Sequence, residues 1–350
     1  MSNPTKVLVT GAGGFIGHYL VTYLKEKGYW VRGVDIKYPE FSDTGADEFE
    51  LLDLRRWDNC LQATRGVEEV YALAADMGGM GFISSNHAQI LRNNTLINFH
   101  TLDAAQVNGV KRYMYTSSAC VYPEYLQEDA DVTPLKEEDA YPAQPQDAYG
   151  WEKLISERIC LRYREAYGIQ THIVRFHNIF GPLGTWEGGR EKAPAALCRK
   201  VAVAKLTDSP EIEVWGDGEQ TRSFCYIDDC VTGIYKLMQS DFYAPINLGQ
   251  DRMVTINQLA NIVAGVADVE IVIKHVPGPQ GVRGRNSNNT LLRQVLSWEP
   301  EISLEEGFSH TYAWIEEQVR ARLEASDESV ETLARSKIYT APKKVGSTQI

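Results

Sequence analysis

The stretch VLVTGAGGFIG, residues 7–17, decides the fold, because an apolar run leads directly into three glycines spaced three residues apart. This spacing suits a tight turn at Gly11, close approach of the backbone to a phosphate at Gly14, and close packing of a helix on a strand at Gly17. A helical pattern follows over residues 15–27, and the positive end of such a helix would face a bound anion. The stretch therefore predicts a strand, a phosphate-binding turn and a helix.

The next apolar run ends in an acidic residue at the distance that a dinucleotide site requires. The segment VRGVD, residues 31–35, predicts a second strand, and Asp35 follows the glycine turn by about 20 residues. A carboxylate there accepts hydrogen bonds from ribose hydroxyls, although a solvated acid at a strand end is the plainer interpretation. A glycine turn alone also occurs in simple loops. The prediction of a dinucleotide site therefore rests on the turn together with Asp35. Asp35 favours NAD over NADP, since its charge would repel a 2′-phosphate.

Composition narrows the class of protein. The 350 residues suffice for one or two interlocked domains, and a net charge of −12 argues against a nucleic-acid partner, which would need a basic face. No apolar run approaches about 18 residues, and the start MSNPTK lacks the apolar centre of a signal peptide, so we expect no membrane partner and a cytoplasmic protein. The six cysteines form neither a CxxC pair nor metal-ligand spacing, which predicts reduced thiols and no metal.

Strand-like apolar runs alternate with helical patterns along the first half of the chain. The five runs cover residues 6–10, 30–35, 69–74, 112–117 and 171–175. This alternation predicts an α/β fold, a Rossmann-type doubly wound parallel sheet, in which ligands bind at the carboxyl ends of the strands.

The composition changes after the fifth run, where glycines and basic residues begin a smaller C-terminal substrate-binding portion. We assign residues 1–180 to the dinucleotide-binding domain and expect residues 228–256 to return to it. Residues 181–227 and 257–323 then form the substrate-binding portion. The polar stretch 324–350 has no clear apolar stripe, so we predict a flexible tail.

Tyr149 and Lys153 lie four residues apart at the start of a predicted helix that reaches Tyr167, so both side chains share one face. Most such pairs are plain surface neighbours. Behind a dinucleotide turn, however, the ammonium would favour the phenolate of Tyr149, whose usual pKa of about 10 makes it a poor base. Lys153 is also placed to hold the nicotinamide ribose.

A hydroxyl donor is expected in the strand-end sequence YTSSACVY, residues 115–122. We choose Ser118, which would donate to the reacting oxygen while Tyr149 takes its proton, whereas local capping is the plainer alternative. The glycine turn, the Tyr149 and Lys153 pair and this serine together resemble the extended short-chain dehydrogenase/reductases. That group includes nucleotide-sugar epimerases and dehydratases.

The two residues after Ser118 narrow the reaction that this resemblance implies. Dehydratases of the group carry an Asp-Glu pair there to supply acid and base for loss of water, whereas this chain has Ala119 and Cys120. A 4-epimerase stays compatible, because it needs only Tyr149, Lys153 and Ser118. Cys120 would then be a small buried hydrophobe, as cysteines near strand ends usually are.

Six longer motifs resemble one subgroup. They are AADMGGMGF at 74–82, RFHN at 175–178, GGREKAPAA at 188–196, WGDG at 215–218, QTRSF at 220–224 and GVRGRNS at 281–287. Together they closely resemble the GDP-mannose 3,5-epimerases over residues 4–320. The resemblance implies NAD as a retained cofactor, GDP-mannose and related GDP-hexoses as substrates, and GDP-L-galactose as product with GDP-L-gulose as a side product.

The resemblance also implies how the reaction is divided among residues. C4 of the sugar is oxidised to a ketone with help from Tyr149, Ser118 and Lys153, and the hydrogens on C5 and C3 become acidic because both carbons flank C4. Cys120 takes a proton from one face and Lys192 supplies one to the other, before C4 is reduced again. Without the surrounding motif, Lys192 would be interpreted as a solvated lysine on a loop.

The predicted site residues follow from the turn, the motifs and the resemblance. The expected NAD contacts are Gly11, Gly14, Phe15, Ile16, Gly17, Asp35, Asp53, Leu54, Ala74, Tyr149 and Lys153. The expected substrate contacts are Gly78, Met80, Ser118, Cys120, Asn178, Glu191, Lys192, Ala195, Arg222, Arg283 and Arg285. The three arginines are assigned to the diphosphate because guanidinium groups bind phosphate oxygens in pairs, although surface arginines often serve solubility alone. Asp53 faces adenine in this fold, or merely caps the next helix.

Two further expectations concern assembly and class. The family pattern is a homodimer that packs helices near residues 94–107 and 148–167. The alternative from another class is a regulatory protein that binds NAD without chemistry. Such proteins can dispense with the tyrosine and lysine pair, which this chain keeps.

Overall fold

The computed structural model describes residues 4–325 and 330–338. Its strands are β1 (Lys6–Thr10), β2 (Trp30–Asp35), β3 (Glu48–Leu51), β4 (Glu69–Ala72), β5 (Arg112–Ser118), β6 (Gln170–Phe176), β7 (Ile179–Phe180), β8 (Glu211–Trp215), β9 (Thr221–Ser223), β10 (Cys225–Tyr226), β11 (Pro245–Leu248), β12 (Met253–Thr255), β13 (Val272–Val276) and β14 (Gly284–Arg285). Its α-helices are α1 (Phe15–Glu26), α2 (Trp57–Thr64), α3 (Met80–Ser85), α4 (His87–Val107), α5 (Ala148–Tyr167), α6 (Ala193–Thr207), α7 (Ile227–Met238), α8 (Ile256–Ala267), α9 (Thr290–Leu296), α10 (Leu304–Ala325) and α11 (Val330–Ala334). Short 3₁₀ helices cover Ala119–Val121, Glu124–Leu126 and Glu137–Ala140.

The main sheet has seven strands in the order β11-β6-β5-β4-β1-β2-β3, and all neighbours are parallel. The prediction of a Rossmann-type doubly wound sheet is therefore confirmed. The strand order reverses between β1 and β4, so a crevice forms at their carboxyl ends. All of the phosphate-turn glycines lie at this edge, directly after β1.

The two faces of the sheet are both covered, which explains why its strands are apolar throughout. Val7 and Val9 of β1 face a core built with α1 and α7, whereas Leu8 faces a second core built with α2 and α4. Alternate residues of a strand point to opposite faces, so a single apolar run supplies both cores. This double cover holds the carboxyl edge rigid beneath the ligand site.

The C-terminal half contributes to both parts of the fold. The segment that we expected to return to the first domain, residues 228–256, provides α7 and β11, and β11 pairs in parallel with β6 at the sheet edge. A three-stranded sheet β12-β9-β14 and a pair β13-β8 form beyond it, while α6, α8 and α10 pack against one another.

Two strands of the main sheet, β3 and β11, were not among the five predicted strand runs. β3 is the edge strand beside β2, and its four residues are exposed or half-buried. An edge strand with one open side needs no continuous apolar run, so Glu48–Leu51 gave no pattern to recognise.

The C-terminal stretch differs from the flexible tail that we predicted from residue 324. Helix α10 continues to Ala325, and α11 packs against α6 with Leu333 only 2% exposed. The physical reason is that one apolar side chain and several main-chain carbonyls anchor this segment, and the carbonyls leave no trace in sequence. The rest of the predicted tail lies outside the described residues.

Residues 4–325 and 330–338 contain neither a membrane-spanning helix nor a metal-binding cluster. No helix in this part of the chain has the length and apolarity needed to span a membrane. No cluster of three or more histidine, cysteine, aspartate or glutamate side chains there could hold a metal ion.

Candidate active site

A cavity of about 920 Å³ lies at the carboxyl edge of the main sheet and extends to α6 and the small sheets. Its wall includes the predicted residues Gly11, Gly14, Phe15, Ile16, Gly17, Asp35, Asp53, Leu54, Ala74, Gly78, Met80, Ser118, Cys120, Tyr149, Lys153, Asn178, Glu191, Lys192, Ala195, Arg222 and Arg285. Arg283 is placed differently, because its guanidinium donates to the exposed Asp217 at 2.7 Å and it does not line this wall.

The glycine turn has the shape that a dinucleotide phosphate requires. Gly11 adopts a φ of 70°, and a Cβ on Gly17 would lie 2.1 Å from the Gly11 carbonyl oxygen. Gly14 begins α1 without a capping side chain, so the helix amides at this end are available to an anion. The backbone therefore forms a cradle that side chains would fill, and these residues fit NAD.

Asp35 lies beside this turn, where burial and hydrogen bonds have opposite effects on the pKa of its carboxyl group. Its carboxylate accepts from the amides of Gly13 at 3.0 Å and Ile36 at 2.6 Å. Burial nevertheless raises its pKa, which those amide bonds only partly offset. Ribose hydroxyls would add donors to the same carboxylate and favour its charged form.

Asp53 and Leu54, the residues expected near adenine, line another part of the cavity. Leu54 is 3% exposed, whereas the Asp53 carboxylate pairs with Arg55 at 2.7 Å. The hydrogen bonds from Arg55 lower the pKa of Asp53. Ala74, farther along the wall, is fixed because its amide donates to the Thr10 hydroxyl at 3.1 Å.

Tyr149 and Lys153 lie on the buried face of α5, next to the end of β5. The Lys153 Nζ donates to the Thr116 carbonyl at 3.0 Å and is 5.5 Å from the centre of the Tyr149 ring. Burial lowers the pKa of Lys153, and the Glu152 carboxylate 3.9 Å away opposes that shift. Burial raises the pKa of Tyr149 well above its usual range, so the phenol needs added positive charge nearby before it can act as a base.

Ser118 has the local capping role that the sequence left open as one alternative. Its hydroxyl accepts from the Cys120 amide at 3.1 Å and so caps the short helix that follows β5. The same hydroxyl hydrogen-bonds the Tyr149 phenol. A Cβ on Gly150 would lie 2.1 Å from the Cys120 carbonyl oxygen, so α5 packs directly on the loop that carries the cysteine.

Arg285 and Arg222 form a positive region deeper in the cavity. Arg285 donates to the Cys120 sulfur at 3.2 Å and to Gln127 at 2.5 Å, and Arg222 donates to the carbonyls of Thr221 and Val282. Neither arginine has a carboxylate partner in the described part of the chain. Burial and the neighbouring Arg285 lower the pKa of Arg222 to about 9. Two adjacent guanidinium groups held by neutral acceptors are suited to a polyanionic ligand.

Lys192 enters the cavity from the start of α6, where it is the residue that precedes the first turn. Burial lowers its pKa, and the Cys120 thiol is close enough that its charge opposes the shift. A lysine with a lowered pKa can gain and lose a proton more readily. The cavity thus holds a thiol and an amine in addition to the tyrosine and lysine pair.

The remaining predicted residues shape the wall. Asn178 adopts a φ of 48°, and its amide donates to the Ser223 carbonyl at 2.8 Å. Gly78 has no room for a side chain, because a Cβ there would lie 2.9 Å from Phe82. Met80 packs against Gly281 from the opposite side of the cavity.

Sequence reasoning missed several residues that the wall contains. They are Asp76, Gly79, Arg190, Lys200, Trp215, Gln220, Ser336 and Lys337. Five of them lie within the motifs quoted above, and membership in those motifs could have identified them as site residues. Lys200 lies inside a helix, and Ser336 and Lys337 follow a stretch without a pattern, so nothing local distinguished them.

Known proteins share this fold and these motifs. A family model described as NAD dependent epimerase/dehydratase family matches residues 7–249. The chain is 52% identical over 320 residues to GDP-mannose 3,5-epimerase 1 of Oryza sativa subsp. japonica, covering 91% of this chain and 83% of that protein. It is 49% identical over 349 residues to GDP-mannose 3,5-epimerase of Arabidopsis thaliana, covering 99% and 92%. The solved UDP-glucose 4-epimerase of Thermotoga maritima matches with a TM-score of 0.78 and 26% identity, covering 90% of this chain and all of that one.

Proposed function

The chain belongs to the NAD-dependent epimerase/dehydratase family, and from this premise we propose that it converts GDP-mannose to GDP-L-galactose by epimerisation at C3 and C5. GDP-L-gulose, inverted at C5 alone, is the expected side product. The enzyme is an isomerase that uses NAD. The observation that carries the proposal is that Cys120 and Lys192 share one cavity with Tyr149 and Lys153.

The tyrosine and lysine pair serves the oxidation and reduction at C4. NAD, which the glycine turn and Asp35 would hold, would supply a reversible hydride acceptor for C4. Tyr149 accepts the proton of the C4 hydroxyl and gives it back in the last step, and Ser118 donates to the same oxygen. Lys153, whose Nζ lies 5.5 Å from the centre of the Tyr149 ring, places positive charge beside the phenol, and a positive charge favours the phenolate.

The thiol and the amine serve inversion. With C4 as a ketone, the Cys120 thiolate removes the C5 proton, and the electron pair is held as an enolate. The Lys192 ammonium then gives a proton to the opposite face of C5. After both groups exchange protons with water, the same steps invert C3. No atoms are gained or lost overall, which is the balance that an isomerase requires.

Arg222 and Arg285 are proposed to bind the diphosphate. Arg285 is buried and Arg222 is half-buried, neither has a carboxylate partner in the described residues, and the chain as a whole carries a net charge of −12. An acidic protein that binds a dianion needs such a local positive site, because its overall field repels anions. Asn178 and Glu191 are proposed for the sugar hydroxyls.

A homodimer is proposed through α4 and α5. Each of these helices is buried on one face, yet Leu91, Trp151 and Ile155 are 41%, 42% and 46% exposed on the other. Large apolar side chains clustered on two neighbouring helices are typical of a subunit interface.

Solvent deuterium distinguishes this function from a 4-epimerase. Protonated GDP-mannose incubated with the enzyme in heavy water should acquire deuterium at C5 and C3, measured by NMR. A 4-epimerase returns only the hydride to C4, so it labels neither carbon. Conversion of substrate without label at either position would overturn the proposal.

A further inference from the structure

Arg199 is a buried arginine with four separate contacts, and it lies outside the reacting groups. It is 2% exposed, two turns into α6. Its Nε donates to the Trp186 carbonyl at 3.0 Å, and one terminal nitrogen donates to the carbonyls of Leu333 and Arg335. The other terminal nitrogen donates to the Glu191 carboxylate at 2.9 Å.

The carboxylate that Arg199 holds belongs to the residue directly before Lys192. Its second oxygen accepts from the Gly189 amide at 2.6 Å, so both oxygens of Glu191 are engaged. The opposite side of this loop touches Gly79, where a Cβ would lie 2.4 Å from the Glu191 carbonyl oxygen. The backbone leading into Lys192 is therefore fixed on one side by Gly79 and on the other by Arg199.

The other contacts of Arg199 reach the end of the described chain. The two carbonyls that it binds belong to α11 and the residue that follows it, and Leu333 is buried beside them. The next two residues, Ser336 and Lys337, line the active-site cavity. One guanidinium group thus joins the loop of the inverting lysine to the segment that completes the cavity wall.

We infer that Arg199 is a positioning residue for the inversion steps, acting through Glu191 on Lys192 and through two carbonyls on residues 333–337. This inference rests on the proposed function. A buried ion pair contributes little net stability, because its desolvation offsets the attraction between its charges. A planar guanidinium with five donors can instead hold several acceptors in one fixed arrangement.

The inference separates the two halves of the reaction. Oxidation at C4 depends on Tyr149, Ser118 and Lys153, which lie on β5 and α5. The hydrogen bonds of Arg199 described above go instead to the loop before Lys192 and to residues 333–335. Proton delivery at C5 and C3 depends on Lys192. A change at Arg199 should therefore slow proton exchange far more than it slows C4 oxidation.

The test compares these two rates in full-length variants. C4 oxidation is followed as the absorbance of enzyme-bound NADH on addition of GDP-mannose, and exchange is followed as deuterium at C5 and C3. We expect Arg199→Met to lower exchange between about tenfold and a hundredfold, the usual effect of a misplaced catalytic group. C4 oxidation and KM should change less than about threefold, well below that range. Arg199→Lys, which can still pair with Glu191, should recover part of the exchange.

Control variants keep the test decisive. Arg320→Met removes an exposed arginine paired with Glu316 and should leave both rates unchanged. If Arg199→Met does not fold, Leu333→Ala loosens the same segment without touching the ion pair and should show the same selective loss. Equal loss of both rates, or no loss, in the variants that fold would overturn the inference. Failure of the parent enzyme to label C5 and C3 would instead overturn the proposed function.

Discussion

The guanidinium of Arg285 donates a hydrogen bond to the sulfur of Cys120 across 3.2 Å. Its Nε is held at the same time by the Gln127 side chain, so the group cannot turn away from the thiol. A fixed positive charge beside a cysteine favours the thiolate, which is the form that accepts a proton. We therefore propose that Arg285 joins two tasks that the sequence analysis kept apart, namely binding of the diphosphate region and activation of the base.

Replacing Arg285 with glutamine should weaken that base. A hydrogen bond to a charged group contributes about 1.5–3 kcal/mol, so we expect deuterium exchange at C5 to fall by about tenfold to a hundredfold. Alkylation of Cys120 by iodoacetamide at a fixed pH should also be slower in the variant, because the sulfur loses its charged hydrogen-bond donor. Arg293→Gln, which removes an exposed arginine paired with Glu299, is the matched control. An unchanged rate of alkylation would contradict the activation role.

Replacing Cys120 with alanine should stop exchange and spare the redox step. The thiol is the proposed acceptor of the C5 and C3 protons, whereas C4 oxidation uses Tyr149 and Lys153. We therefore expect bound NADH to form on addition of GDP-mannose while neither carbon gains deuterium. Cys198→Ala makes the same change at a buried cysteine on α6 and should retain exchange. Undiminished exchange in the Cys120 variant would remove that residue from the mechanism.

Arg222 and Arg283, which belong to two different motifs, should differ in their effect on substrate binding. Arg222 and Arg285 lie on the cavity wall, while Arg283 is paired with the exposed Asp217. Loss of a buried phosphate contact costs about 1.5–3 kcal/mol, so Arg222→Met should raise the Kd of GDP-mannose by tenfold or more, measured by calorimetry. Arg283→Met should raise it far less. A larger effect at Arg283 would support its predicted place at the diphosphate.

Local sequence predicted the parts of this molecule that local physics determines. The phosphate turn needs glycine where a Cβ would meet backbone, as at Gly17, and β1 needs apolar residues because both its faces are covered. Tyr149 and Lys153 could be paired because helix geometry fixes the spacing of neighbours on one face. Each of these signals lies within a few residues of the chain.

Contacts between distant segments left no such signal. Arg199 resembles any helical arginine, and its function depends on carbonyls more than 130 residues away. Carbonyl acceptors are the same in every residue, so the anchoring of residues 333–335 could not be read from side chains. Arg283 shows the reverse case, since a residue within a long motif was predicted by association with its neighbours rather than by its own contacts.

Charged substitutions on α5 should separate the proposed dimer. Trp151 and Ile155 lie one turn apart and are both exposed in the single chain, so an aspartate at 155 would place a charge in an apolar interface. We expect Ile155→Asp to sediment as a monomer in analytical ultracentrifugation while the parent sediments as a dimer. Val272→Asp changes an exposed apolar residue on β13 and should leave the mass unchanged. A monomeric parent would contradict the proposal.

The two buried histidines beside the main sheet should make the fold sensitive to acid. His172 donates to the Phe242 carbonyl and His177 donates to the side-chain oxygen of Asn247, and burial lowers their pKa values to about 4 and about 3. Both values lie below the unfolded value of about 6.5, so the unfolded chain takes up protons first as the pH falls. The free energy of unfolding should therefore decrease below about pH 6.5, by up to about 1.4 kcal/mol per pH unit for each histidine, until those lower values are reached.

Urea denaturation between pH 7 and pH 5 measures this dependence, and a histidine variant isolates it. Buried carboxyls whose pKa is raised, such as Glu152, act in the opposite direction, because they gain protons more readily in the folded state. The free energy of unfolding should depend less steeply on pH in His172→Asn than in the parent. The difference in slope is the contribution of one histidine, at most about 1.4 kcal/mol per pH unit. Equal slopes in the parent and the His172 variant would show that this imidazole gains a proton in the folded protein, with its buried Nε2 finding an acceptor.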